Sequence, residues 1–183
     1  MKRFITFALA LILTLSLAAC GTLYKWPKIP AAHWKYENIP GGISLTGYLG
    51  SETQVKIPEE IDGILVTKIG DRAFKDNASI EELELPGSLE VIGNYAFQGC
   101  VNLRLMNDGW PGNATTIGEG AFYGCRLGRS TMPFLGDPAV EDWLRIHDSI
   151  KTIGDGAFFG SESMIYAESI SAINPNAFLD VLA

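Results

Sequence analysis

One six-residue phrase occurs five times along this chain and limits its folding more than any other feature. It reads Ile69-Gly70-Asp71-Arg72-Ala73-Phe74, Ile92-Gly93-Asn94-Tyr95-Ala96-Phe97, Ile117-Gly118-Glu119-Gly120-Ala121-Phe122, Ile153-Gly154-Asp155-Gly156-Ala157-Phe158 and Ile173-Asn174-Pro175-Asn176-Ala177-Phe178. Successive starting isoleucines are separated by 23, 25, 36 and 20 residues. A unit of about two dozen residues cannot bury its own apolar face, so such units must stack on one another. The expected architecture is a solenoid in which isoleucines form one buried column. Phe74, Phe97, Phe122, Phe158 and Phe178 form a second.

Upstream of the phrases lie short β-like runs. Val55 and Ile57, Leu83 and Leu85, Leu144 and Ile146, and Met164 and Tyr166 are spaced by two, which assigns each pair to one buried face. Lys56, Glu82, Glu84, Arg145 and Ile165 then fall on the opposite, exposed face, the candidate binding surface. Each unit is expected to turn, take a second apolar step at residues such as Leu89 or Ile150, and pass through Ile-Gly into a short helical turn carrying Ala and Phe. The glycine in the second place suits a tight turn or positive φ, and the alanine leaves room for close approach between units.

At this level of detail the chain resembles the BspA-type leucine-rich-repeat proteins, from about Ile39 onward. The opening Ile43-Ser44-Leu45-Thr46-Gly47-Tyr48-Leu49-Gly50, Val55-Lys56-Ile57-Pro58, Ile61-Asp62-Gly63 and Val66-Thr67-Lys68-Ile69-Gly70 is similar to the family's usual first repeat. The resemblance implies an α/β-type leucine-rich-repeat solenoid of about five rungs, mostly short β-strands with short helical turns. It also implies a binding or adhesion role. The chain departs from the pattern over Asn102 to Pro111, and again after Cys125. There the stretch to His147 is 22 residues, against 11 from Cys100 to Pro111. The excess is assigned to an insertion near 126–142, where Asp137 and Pro138 suit the start of a short helix. Phe134 and Trp143 are its candidate contacts, although covering the flank of the stack explains them as well.

The first twenty residues carry an address. Lys2 and Arg3 precede an apolar run from Phe4 to Leu17, which closes on Leu17-Ala18-Ala19-Cys20. A charged start, a run too short to span a bilayer comfortably and a small-residue close read as an export signal over 1–19. Leu17-Ala18-Ala19-Cys20 also resembles the lipobox of bacterial lipoproteins, which implies a diacylglyceryl group on Cys20, acyl chains such as palmitate, and attachment to a membrane of the cell envelope. Residues 20–34 read as lipidated N-terminus and tether, with Pro27, Pro30 and no apolar period, and 35–183 as the repeat domain. Trp34 is expected to pack on the domain's end.

Loss of Lys2 and Arg3 with the leader takes the formal net charge from -7 to -9. Such a surface disfavours nucleic acid and anionic headgroups, leaving a host or envelope protein or a glycan as the expected partner. His33 and His147 stand apart, and no serine, cysteine or carboxylate pair has a recognised catalytic setting. No metal motif or cofactor site is present in the sequence. The expected function is that of a non-enzymatic, membrane-anchored binding module. The alternative is a structural envelope or periplasmic spacer without a ligand. Cys100 and Cys125 occupy equivalent places in successive units, where either a disulfide or buried thiols would fit.

Overall fold

The computed structural model describes residues 26–105, 111–125, 127, 143–161, 164–166 and 174–179, with the backbone alone at 105, 143–145 and 164–166. Its strands are short. In chain order they are β1 (Trp34–Ile39), β2 (Gly42–Tyr48), β3 (Gln54–Lys56), β4 (Glu60–Ile61), β5 (Ile64–Ile69), β6 (Glu82–Glu84), β7 (Val91–Ile92), β8 (Arg104–Leu105), β9 (Thr116–Ile117), β10 (Trp143–Arg145), β11 (Thr152–Ile153) and β12 (Met164–Tyr166).

Each of the first four phrases starts at the end of a strand in one sheet, ordered β1-β2-β5-β7-β9-β11, with β4 paired to β5. From β2 onward that path is parallel, with Leu45 beside Ile69, then Ile92, Ile117 and Ile153 in register. A second parallel sheet, β3-β6-β8, and a two-stranded one, β10-β12, collect the strands upstream of the phrases. The four described members of the isoleucine column are buried, with Ile69, Ile92 and Ile117 at 0% exposure and Ile153 at 2%.

The phenylalanines stack as the pattern requires. Ring centroids step 4.9 Å from Phe74 to Phe97, 5.2 Å to Phe122, 5.7 Å to Phe158 and 6.0 Å to Phe178. Two rings outside the repeated phrase extend the stack: Tyr48 lies 5.8 Å from Phe74, and Trp34 lies 4.9 Å from Tyr48. Offset aromatic neighbours at such separations add to the burial they share.

The expected helical turns are absent from the first four phrases, while the fifth carries one, the 3-10 segment Pro175–Phe178. Residues 71–76, 94–99, 119–124 and 155–160 are hydrogen-bonded turns, and the helices among the described residues are two 3-10 segments, Ala31–His33 and Pro175–Phe178. The backbone amides explain why. An α-helix needs its interior N–H groups for carbonyls four residues back in the same segment. Here Arg72, Phe74 and Asp76 donate instead to Asn94, Ala96 and Gln98 of the next unit, at 3.0, 2.8 and 2.7 Å. The intervening Ala73, Lys75 and Asn77 donate back within the turn to Gly70, Arg72 and Phe74. The same alternation recurs from Tyr95, Phe97 and Gly99 to Glu119, Ala121 and Tyr123.

Alternation of this kind requires the chain to reverse its twist at the fourth place of the phrase. Arg72, Tyr95, Gly120 and Gly156 take φ of 60°, 55°, 55° and 60° there. For Arg72 and Tyr95 this left-handed conformation is strained, and the inter-unit hydrogen bonds hold it. The glycine in the second place serves a different purpose from the one its sequence suggests. Gly70, Gly93 and Gly118 are absent from the positive-φ residues; a Cβ on Gly70 would stand 2.7 Å from the Leu45 carbonyl oxygen, and one on Gly118 would stand 2.7 Å from the Asn94 amide nitrogen. Close approach of successive backbones selects glycine at this place.

At the N-terminal end, β1 turns through Pro40 and Gly41 and pairs antiparallel with β2. Trp34, expected to pack on the domain's end, is 7% exposed and belongs to the core, and Ile29 packs against that core. At the other end, the Asn174 side chain accepts the Asn176 amide at 3.0 Å and caps the 3-10 segment.

Candidate binding surface

The β3-β6-β8 sheet forms the face that the alternation pattern singles out. Val55 and Leu83 are in register, at 0% and 1% exposure, while the residues flanking them turn away from the core. Gln54 stands beside Glu82 and then Arg104; Lys56 stands beside Glu84. The Gln54 amide donates to a Glu82 carboxylate oxygen at 2.8 Å, and Lys56 Nζ donates to Glu84 Oε1 at 2.5 Å. With the lysine side chain 45% exposed, a pair of this kind contributes only about 0.2–1 kcal/mol. Its larger effect is on charge. Lys56, Glu82, Glu84 and Arg104 balance, so this face is neutral on a chain of net charge -7.

Gln54 and Arg104 were not singled out in the sequence, although each has a signal. Gln54 is two residues before Lys56 and so shares its face, and Arg104 lies 22 residues after Glu82, close to the repeat period. The broken strand pattern after Asn102 hid Arg104, whereas the structure forms β8 there and pairs it with β6.

Other expected contacts are not brought together with this face. In β10 and β12 Leu144 pairs with Ile165 and Arg145 with Tyr166, so Arg145 and Ile165 do not hold equivalent places in the ladder. The sequence pattern, which pairs Met164 and Tyr166 with Leu144 and Ile146, is out by one residue at β12. Trp143 opens β10, opposite Met164. Cys20, Phe134 and, apart from the buried Leu127, the insertion up to Asp142 lie outside the described residues.

The remaining reactive groups have structural partners. Cys100 and Cys125 are buried free thiols, and their Sγ atoms donate to the carbonyls of Phe74 at 3.0 Å and Phe97 at 2.8 Å. Burial, then the neighbouring Cys100, pushes the Cys125 thiol far up, which keeps it protonated and non-nucleophilic. His147 Nδ1 accepts the Ser149 amide at 3.1 Å and lies 3.0 Å from its hydroxyl, locking a turn. Tyr95 donates its hydroxyl to Glu119, which raises the phenol above its ordinary range, while Arg72 lies 5.5 Å over the same ring. Among the described residues no cluster of His, Cys, Asp and Glu is arranged to hold a metal ion, and no helix is long and apolar enough to cross a membrane.

Comparison with known proteins places this geometry. The profile described as BspA type Leucine rich repeat region matches residues 51–135 and 141–182, in six copies. A leucine-rich-repeat protein of T. pallidum aligns over 79% of this chain and 72% of its own, at 25% identity and a TM-score of 0.56. One from Bacteroides capillosus aligns over 77% and 98%, at 25% identity and 0.56. A leucine rich cell surface protein of Faecalibacterium prausnitzii shares the fold over 79% of this chain and 44% of its own, at 20% identity and 0.52. No curated protein matches.

Proposed function

The chain belongs to the BspA-type leucine-rich-repeat family, and on that premise we propose that it is a lipid-anchored protein of the bacterial envelope that binds a protein or glycan through its β3-β6-β8 face. Leucine-rich-repeat proteins generally mediate protein–protein interaction and are typically non-enzymatic, so a binding role is the family's starting point. The carrying observation is the balanced face itself, in which Gln54, Lys56, Glu82, Glu84 and Arg104 present both signs of charge in two cross-strand rows. On a chain of net charge -7 it is a place where a partner of either sign can approach without repulsion.

In this reading residues 1–19 are a signal peptide, Cys20 carries the diacylglyceryl group, and the units stack as a solenoid of about five rungs displayed from the membrane. Two or more acyl chains hold a protein stably where one does not. Display at the surface makes the face adhesion-like. Arg145, Trp143 and Phe134 are secondary contacts in this reading. The pairing of Lys56 with Glu84 and of Gln54 with Glu82 favours one alternative, an envelope spacer, because side chains that satisfy each other serve the stack without a ligand.

Binding of the full-length protein in detergent micelles to arrays of matrix proteins, envelope proteins and glycans separates the two. The adhesion reading predicts a bound partner whose signal falls at least about tenfold on Lys56→Glu together with Arg104→Glu, the loss of roughly 1.4 kcal/mol or more at a charged interface. Equal binding by both proteins removes this face from the function, and absence of any bound partner supports the spacer.

A further inference from the structure

We infer that the N-terminal end of the stack is a lipid-facing surface, on which Tyr36, Leu49, Ile64 and Leu65 rest against the bilayer that holds the anchor. The inference rests on the reading of Cys20 as the lipidated residue. Of the seven large apolar side chains exposed among the described residues, these four belong to this end, while Phe178 and Leu179 lie at the other. β1 is the outermost strand of its sheet, with β2 behind it. The Tyr36 hydroxyl, from β1, donates to the Asp62 carboxylate at 2.7 Å and so ties that strand to the Asp62-Gly63 turn between β4 and β5. Ile64 and Leu65 follow the turn, Leu65 at 51% exposure. A Cβ on Gly42, the first residue of β2, would stand 2.7 Å from the Leu65 carbonyl oxygen, so this corner adjoins the start of β2. Leu49, at 59% exposure, follows the opposite end of β2, where its amide donates to the His33 carbonyl at 2.8 Å. The exposed apolar groups therefore bracket the two outermost strands, with Tyr36 between them.

The length of the tether decides what covers this end. Six residues lead from Cys20 to Trp26, where the described chain begins, and they span at most about 22 Å when fully extended. From there Ile29 packs on the core and the chain enters β1. An anchor in the acyl region thus keeps this end of the stack, and not the Phe178 end, within reach of the headgroups. Lys28 and Lys35 are exposed here, and lysines at an interface bury their stems and extend their ammonium groups to headgroup phosphates. Tyrosine likewise keeps an apolar ring in the interface, and the Tyr36 hydroxyl already has its partner in Asp62. The exposed acids of the same end, Glu37, Glu60 and Asp62, favour a zwitterionic over an anionic bilayer. They also disfavour a second copy, which would bring the same three acids against their own kind.

Full-length protein in phosphatidylcholine vesicles, carrying a thiol-reactive fluorophore on Leu49→Cys, Leu65→Cys or Lys151→Cys, tests this. Cys100 and Cys125 are buried, so one label per chain checks that each variant is folded. Lys151 is exposed beside β11, four strand spacings from β2 or roughly 19 Å along the stack. Flotation with the vesicles reports the anchor by itself. Phosphatidylcholine bearing a nitroxide on its acyl chain should quench the labels at 49 and 65 at least about threefold more than the label at 151, because interfacial side chains enter about 5–10 Å into the headgroup and acyl boundary. Floating protein that is quenched equally at all three places, or at none, overturns the inference and leaves the anchor standing. Protein that does not float removes the anchor and the inference together. Emission at 49 and 65 that follows protein density and ignores the nitroxide assigns this end to a second copy, which also overturns the inference.

Discussion

The rings of Phe122 and Phe158 lie 5.7 Å apart and within 2° of parallel, although 36 residues separate them in sequence against 25 between Phe97 and Phe122. The extra length after Cys125 leaves the ladder undisturbed, because Ile117 and Ile153 remain in register and the Phe122 amide still reaches the Ala157 carbonyl at 2.8 Å. An insertion between stacked units costs only loop closure, which grows slowly with length.

Truncation along the stack should therefore depend on place rather than residue type. Phe122, at 0% exposure between two rings, should lose about 3–5 kcal/mol on substitution by alanine, as buried aromatics do. Phe178, at 41% exposure, should lose less than about 2 kcal/mol. Urea unfolding of the two variants gives both values; equal losses would contradict the end position assigned to Phe178.

Glycine substitution separates close approach from mere composition. In Gly118→Ala the new Cβ meets the Asn94 amide nitrogen at 2.7 Å and should destabilise by about 1–3 kcal/mol, as overpacking does. Gly112→Ala meets nothing within 4 Å and has no positive φ, so it should stay within about 0.5 kcal/mol of the parent. Thermal melts of the pair report the difference, and an unchanged melt for Gly118→Ala would contradict the unit spacing.

The thiols offer a third check. Cys100 and Cys125 are both buried, and burial keeps the Cys125 thiol protonated, so a maleimide should leave the two unmodified in the native chain. In denaturant without reductant both should react. A count of none would mean a disulfide, contrary to the structure, and a third reactive thiol would mean an unmodified Cys20.

Much of this fold was legible because it is written in residue types that tolerate few substitutes. The isoleucine and phenylalanine columns, and the inward pairs Val55 and Ile57, Leu83 and Leu85, came directly from spacing. The turns of the first four phrases were misread because Ala and Phe also suit a helix, and the decisive information, inter-unit hydrogen bonds from alternate amides, is carried by backbone that every sequence shares. The left-handed fourth place is occupied by Arg72 and Tyr95 as well as Gly120 and Gly156, so no single residue type marks it. Trp34 was expected to pack on the domain's end, but its link to the stack was missed because Tyr48, which bridges it to Phe74, stands outside the repeated phrase. Of the candidate face, Lys56, Glu82 and Glu84 followed from alternation, while Ile165 did not, because a three-residue strand carries too little pattern to fix a one-residue register.

The central claim is that the repeat domain is delivered to the envelope on a lipid, and mass spectrometry of the mature N-terminus, combined with protease treatment of intact cells, tests it most directly. The account predicts an N-terminal peptide beginning at Cys20 and carrying the mass of a diacylglyceryl group, with the repeats digested from outside the cell. A chain that retains Met1, or one that begins near Cys20 with a bare thiol, would contradict it.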